Sequence, residues 1–492
     1  MKNAFAGIPP LIAADRNSPA PLHKQVYDGF RAAILCGDLR PGQQIPSSRK
    51  LAADIRISRF PVLHAYAQLL AEGYFESRSG SGTFVSRALP EQMMWVNRHI
   101  ALSGKAGAGP RLTARRVALY PAVGSAVIAS GWGAFNIHQP ALDQFPFHVW
   151  SSLVASHSRN PHIGEIHRIH ALGSERFREA ICAYLRTARA VKCEPEQIMV
   201  VSGSQQALDL TARVLLNPGD AVFVEEPGYG LARAALAAAG CRLVPIPVDR
   251  EGMDITIGIG RRIKARAALV TPSHQFPMGS TMSAARRLRL LNWAQSTGAW
   301  IVEDDYDSEY RFESKPIASL QGLDTNARVI YIGTFSKVLF PSLRIGYLVI
   351  PLDLLNQFTA VRVAMDIFPP YLFQEVLADF IALGHFGRHI RKMRQLYRER
   401  RTALIESLRR EFGDMFDVFG AEAGMHLAAL LPEGFNDREI AARAVSQKLW
   451  LRPMSPHYGW EKPRQGFVLG YGSTAADQMP HAVERLRSVV FP

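Results

Sequence analysis

The sequence predicts a multidomain chain: a small, mainly α unit with a β wing, then a larger α/β unit that ends in a smaller α+β lobe. Three observations predict it. At 492 residues the chain exceeds what one compact core accommodates. Helical spacing over residues 20–87 gives way to a stretch rich in Gly, Ala, Pro and Arg at 88–130. From Gly131 onward, short apolar runs alternate with amphipathic helical segments, the pattern of a mostly parallel sheet covered on both faces.

In the first unit a helix spans Leu22 to Leu35, with Val26, Phe30 and Ile34 at helical spacing. Gly37 and Pro41-Gly42 end it and turn the chain. Ser47 or Ser48 caps a short second helix that turns Leu51 inward. Ser58 caps a third, containing Val62, Tyr66, Leu69 and Leu70. Gly73-Tyr74-Phe75 and Thr83-Phe84-Val85 read as strands joined by Ser79-Gly80-Ser81-Gly82, a wing. The second and third helices, joined by Ile55-Arg56-Ile57, form a helix-turn-helix. In such a unit the first side chains of the second member reach base edges while neighbours touch phosphate. Arg59 and His64 are the candidates at the bases and Arg49 and Lys50 at phosphates, with Ser58 at the helix start a further candidate DNA contact. Gly80, Ser81 and Gly82 allow the wing to approach a nucleic-acid backbone.

Charge agrees with that reading. The net charge is +14 with a pI near 9.8. Residues 1–90 hold eleven Lys/Arg against six Asp/Glu, and 91–130 hold five against one. Such an excess favours polyanionic partners, and with the helix-turn-helix the expected one is double-stranded DNA; by charge alone, a solvated basic surface is the alternative. The segment 88–130 is expected to be a flexible basic linker, with a short helix from Met93 to Ile100. Four cysteines lack metal-type or paired spacing, so no metal site is expected and a reducing compartment is. No run approaches the ~20 apolar residues of a membrane span, and Met1-Lys2-Asn3-Ala4-Phe5 lacks a signal peptide's apolar core. A cytoplasmic protein is expected.

In the second unit, strands are predicted at Ile198–Val201, Ala221–Val224, Ala268–Thr271, Trp300–Val302, Val329–Ile332 and Tyr347–Ile350. Helices are predicted over 205–216, 229–239 and 283–297, with longer ones across 372–411 beginning the small lobe, 372–492. Lys337 is the focus. It follows a strand, in Gly333-Thr334-Phe335-Ser336-Lys337, where an amine held on a rigid element can form a Schiff base. Asp304 at another strand end suits a pyridine nitrogen, and Tyr306 a phenolic oxygen. Arg344 offers phosphate a bidentate donor. Ser204 and Gln205, at a strand-to-helix turn, add a helix N-terminus for the same anion. Tyr229 follows the next strand and could stack on a ring. All of these lie at carboxyl ends of strands, where open α/β sheets bind ligands.

Both halves resemble known families. Gly37-Asp38-Leu39-Arg40-Pro41-Gly42, Ile45-Pro46-Ser47-Ser48-Arg49, Ser58-Arg59 and Gly80-Ser81-Gly82-Thr83-Phe84-Val85 resemble the winged helix of GntR regulators. Phe60-Pro61 departs from it, since small residues usually stand there. Residues 131–492 resemble fold-type I pyridoxal-phosphate transferases of the aspartate aminotransferase class. The stretches carrying this include Gly203-Ser204-Gln205-Gln206, Thr271-Pro272-Ser273-His274-Gln275-Phe276-Pro277 and Glu303-Asp304-Asp305-Tyr306. Together the halves resemble a MocR-type regulator. The resemblance implies pyridoxal 5'-phosphate as cofactor, with Lys337 as its internal aldimine and Ser336 beside it. It implies Asp304 at the ring nitrogen, Tyr306 at the phenolic oxygen, Arg344 at phosphate and Tyr229 as the stacking ring. Phe276 stands where aminotransferases usually carry asparagine, leaving His274 or Gln275 as substitutes. No arginine lies in Gly466–Tyr471, where many transaminases hold a substrate carboxylate, leaving Arg233 or Arg452. The expected function is a homodimeric transcription regulator sensing an amine, an amino acid or the B6 vitamer. The alternative is a working aminotransferase with a DNA-binding appendage.

Overall fold

The structure, a computed structural model, describes residues 12–87 and 131–491 except 13, 17, 79–80, 132, 138, 162–163, 165–169 and 313–316. The expected linker at 88–130, with its helix from Met93 to Ile100, and Gly80 of the wing lie outside the described residues. The chain divides into two compact units, Met1–Leu112 and Thr113–Pro492.

In the first unit, helix Leu22–Leu35 buries Val26, Phe30, Ala33 and Ile34. Helices Ser48–Asp54 and Arg59–Ala71 follow. Ser47 is the cap of the former, accepting from the Lys50 amide at 3.3 Å. Ser58 occupies the cap position of the latter without a side-chain cap bond. Leu70 is exposed rather than inward, because Val62, Ala65, Tyr66 and Leu69 already define the buried stripe. Phe30, Tyr66 and Phe75 meet edge to face at 5.3–5.5 Å and fill the centre. Strands β1 (Gln44–Ile45), β2 (Phe75–Arg78) and β3 (Gly82–Val85) form a sheet in the order β1-β3-β2. A two-residue strand is too short to show periodicity, so β1 was invisible beforehand.

The second unit is built on eight strands: β4 (Ile198–Val201), β5 (Ala221–Glu226), β6 (Arg242–Asp249), β7 (Gly252–Met253), β8 (Ala265–Val270), β9 (Trp300–Asp305), β10 (Val329–Thr334) and β11 (Gly346–Val349). Their order is β4-β11-β10-β9-β8-β5-β6-β7. Neighbours from β10 through β6 run parallel, whereas β11 is antiparallel to both β10 and β4. Every residue of β4, β5, β9, β10 and β11 is buried, as expected of a sheet with helices on both faces. Strand β9 continues through Glu303, Asp304 and Asp305, beyond the predicted end at Val302. A run of acids reads as a loop, yet here it lies inside the protein.

The small lobe holds β12 (Asp417–Phe419), β13 (His426–Leu430), β14 (Arg452–Pro453) and β15 (Gly466–Gly470), all antiparallel, in the order β12-β13-β15-β14. The long helix His385–Phe412 and the last helix, Met479–Val490, share its core. Residues before the large sheet also join it: Ala134 bridges to Leu449 and Phe135 to Gly470. The predicted lobe, 372–492, omitted them because pairing across three hundred residues leaves no local pattern. Among the described residues, no helix is long and apolar enough to cross a membrane. The four cysteines are free thiols.

Candidate functional site

A cavity of about 200 Å³ opens at the carboxyl ends of β5, β8, β9 and β10 and at the helix start that follows β4. Ser204, Tyr229, Asp304, Tyr306, Ser336, Lys337 and Arg344, all singled out from sequence, line it. So do Ile137, Thr271, Phe276, Asp307, Met425 and His426. Of these, Asp307 and His426 bear chemistry that the sequence reading passed over. The signal for His426 was a lone histidine opening the apolar run Leu427–Leu430.

Lys337 reaches into the cavity and donates from Nζ to the carbonyl of Ile137 at 3.0 Å. Burial pushes its pKa down to about 8 from the ordinary 10.5, against the opposing pull of Asp307. A neutral amine, the form that attacks carbonyls, is therefore accessible near neutral pH.

Three consecutive acids on β9 do three jobs, separated by the strand's alternation of faces. Glu303 accepts from the amides of Leu320 and Gln321 at 2.9 and 3.0 Å, capping the short helix Leu320–Leu323. Asp305, on the same face, pairs with buried Arg189 at 2.9 Å. Burial, the largest single influence, would raise its pKa, but Arg189 together with hydrogen bonds from Tyr331, Ser308 and Ser273 lowers it. Asp304 turns the other way, into the cavity, and its Oδ1 is buried without a hydrogen-bond partner. Burial, then the charges of Asp305, Glu225 and Asp307, raise its pKa to about 7. It is a carboxylate lacking a cation.

At the other end lies an anion cradle. Gly203 caps helix Ser204–Leu215 with φ 103° and ψ 174°, a combination confined to glycine. A Cβ there would lie 3.5 Å from the Arg344 guanidinium, ordinary contact distance, which shows that this arginine lies over the helix start. Among the described residues no acid pairs with Arg344. The Ser336 hydroxyl is buried and unpartnered. A cation, two hydroxyls and the positive end of a helix converge on one point.

Tyr306 donates to the carbonyl of His274 at 2.8 Å, and burial keeps its phenol protonated by raising its pKa far above 10. Tyr229 packs edge-on against Phe276 at 5.5 Å, and burial lifts its pKa to about 12. His274 stands behind Tyr306, its Nδ1 2.9 Å from Asp307, and does not line the cavity. His274, Asp307 and His426 bring possible ligand atoms within 4.8 Å of one another. Burial, with His274 and Lys337 adding repulsion, holds the His426 pKa well below 6.5.

Two predicted neighbours serve elsewhere. Gln205 donates to the carbonyl of Leu231 at 2.9 Å, tying two helices together rather than facing the cavity. Gln275 donates to the carbonyls of Pro227 and Phe276 and to Glu225. Of the two carboxylate candidates, Arg233 is committed to Glu226 at 2.9 Å and stacks over Trp460. Arg452 stands near enough to Lys337 and Tyr229 for their charges to interact, and burial lowers its pKa. No arginine occurs on β15.

In the first unit, Arg59 opens its helix exposed, its Nε donating to Ser48 Oγ at 3.1 Å. His64 is exposed on the same face and packs edge-on against His23 at 4.6 Å. Arg49 is exposed and Lys50 half-buried at the preceding helix. Ser81 and Gly82 are exposed at the wing.

Residues 22–85 match the family model for bacterial regulatory proteins of the gntR family, and residues 152–482 that for aminotransferase class I and II. The chain is 40% identical to the probable rhizopine catabolism regulatory protein MocR of Rhizobium meliloti, over 97% of this chain and 95% of that one. The protein is a MocR-type GntR regulator. Like other MocR-type chains it joins a DNA-binding winged helix to an aminotransferase-like domain. It is 30% identical to the pyridoxine biosynthesis transcriptional regulator PdxR of Corynebacterium glutamicum, over 97% of this chain and 98% of that one. The α-aminoadipate aminotransferase LysN of Thermus thermophilus, solved with N-(5'-phosphopyridoxyl)-L-leucine, superposes with TM-score 0.70 at 26% identity. That match covers 77% of this chain and 97% of LysN.

Proposed function

We propose that this MocR-type regulator senses an amine, an amino acid or a B6 vitamer through pyridoxal phosphate attached at Lys337, and alters its grip on promoter DNA in response. One observation carries the reading. A single cavity collects a lysine of depressed pKa, an unpartnered buried carboxylate and an arginine-flanked helix N-terminus. These are partners for an aldehyde, a ring nitrogen and a phosphate. When bound, the cofactor supplies a carbonyl that condenses with amines and a ring that withdraws electrons.

The residues divide the work. Lys337 is the covalent anchor. Asp304, charged once a cation faces it, holds a proton at the ring nitrogen. The protonated phenol of Tyr306 donates to the phenolic oxygen, and Tyr229 stacks against the ring. Arg344, Ser204 and Ser336 hold the phosphate. The working division is a DNA-binding unit over 20–87 and a sensing unit over 131–492. The two similar regulators, named for rhizopine catabolism and pyridoxine biosynthesis, support a small-molecule signal. A ligand shifts DNA affinity only if it prefers one of two conformations. A homodimer, matching two DNA half-sites, is the proposed assembly. Turnover as an aminotransferase is the second reading: β15 lacks an arginine and Arg233 is held by Glu226, so a substrate carboxylate would fall to Arg452.

Borohydride reduction of the holo-protein followed by peptide mapping tests the anchor. The pyridoxyl adduct is expected on Lys337, and an adduct elsewhere overturns the reading. DNA affinity should respond to the cofactor in the wild type and not in Lys337→Ala. Equal responses would exclude sensing through this lysine.

A further inference from the structure

Folding does not account for the front of helix Arg59–Ala71. Val62, Ala65, Tyr66 and Leu69 fill the core, yet Phe60 is 76% exposed, more than any other large apolar side chain among the described residues. Leu63, 44% exposed, stands beside it. Arg59, Phe60, Leu63, His64 and Ala67 are all exposed, at the spacing of a single helical face. This is the face a helix-turn-helix turns to the major groove. Such an exposed apolar pair marks a contact surface.

The surroundings identify the occupant. Arg59, a candidate for base edges, stands next to Phe60, and Arg49, suited to phosphate, is exposed on the preceding helix, so the cations expected at a nucleic acid accompany the apolar spot. The Arg59-to-Ser48 hydrogen bond fixes the start of the helix against its neighbour. Pro61 lies in the first turn, where a proline's missing N–H costs nothing. Base edges in the major groove offer one apolar feature, the 5-methyl group of a pyrimidine.

We propose that Phe60, backed by Leu63, reads a thymine by packing against its 5-methyl group, making it a specificity-determining residue for the operator. The proposal rests on the DNA-binding reading of this unit and adds the base class that is read.

The test uses the full-length holo-protein. Preferred duplexes are selected from a random library, and each thymine of the chosen site is then replaced singly by deoxyuridine. Loss of a contacted methyl should weaken wild-type binding roughly threefold to fivefold at one or two positions. Phe60→Ala should bind the thymine site more weakly and treat thymine and uracil alike there, while Phe60→Leu keeps part of the discrimination. Replacing the thymine by 5-methylcytosine should retain more affinity than replacing it by cytosine. Unchanged melting of both variants confirms that the fold is intact, as expected for an exposed side chain. Indifference of the wild type to uracil at every position overturns the proposal, as does methyl discrimination surviving in Phe60→Ala. Failure of the wild type to retain any duplex would instead overturn the DNA-binding reading beneath it.

Discussion

Lys337 and Asp304 are perturbed in opposite senses by the same desolvation, and each yields a measurable pH dependence. The Lys337 pKa near 8 lies below the ordinary 10.5. The unfolded chain therefore binds more protons between these values, and this group adds stability as pH rises through that window. Capture of pyridoxal phosphate by apo-protein should accelerate with pH, with its midpoint near 8 and a plateau about one unit above. A rate still climbing at pH 10 would mean the amine is not desolvated. Asp304 has its pKa raised to about 7 from 3.8. The folded chain binds the extra proton between those values, so stability falls as pH rises through them. At pH 8 the bare carboxylate costs the apo fold on the order of 4 kcal/mol. Asp304→Asn should raise the apo melting temperature at pH 8 but not at pH 4, and shrink the stabilisation conferred by cofactor. Identical melting of variant and wild type at pH 8 would contradict the uncompensated charge.

At the level of elements, the cradle depends on the backbone between β4 and its following helix. Gly203→Ala forces a side chain into a glycine-only conformation at a cost on the order of 1–3 kcal/mol. Retention of pyridoxal phosphate on dialysis should fall well below wild type. Unaltered retention would separate this turn from phosphate binding. Helices and strands with a clean period were legible from sequence: Leu22–Leu35 and Ile198–Val201 match residue for residue. What escaped was non-local or masked by charge. Strand β1 acquires its identity only from β3. The end of β9 is acidic because partners far along the chain neutralise or bond each carboxylate but one. Seven of the residues singled out from sequence line one cavity, and what marked them was their place after a strand. Gln205 obeyed the same rule yet turned to Leu231, since helical rotation decides which of two adjacent side chains faces a cavity.

For the whole molecule, charge sets the expectation. A net +14, concentrated before residue 130, predicts DNA binding driven by counterion release. Raising salt from about 50 to about 200 mM should weaken operator binding on the order of a hundredfold or more. A flat response would point to an interface with few phosphate contacts. Sedimentation of the holo-protein should report a dimer, and a monomer that still binds operator at full affinity would refute the proposed assembly. The bridges from Ala134 to Leu449 and from Phe135 to Gly470 add a mechanical consequence. The stub of chain at Ala134 and Phe135 is stitched to the hem of the small lobe, and two residues on, the Ile137 carbonyl holds the amine of the anchor lysine. Any shift of that hem is therefore felt at the very nitrogen on which the sensing chemistry turns.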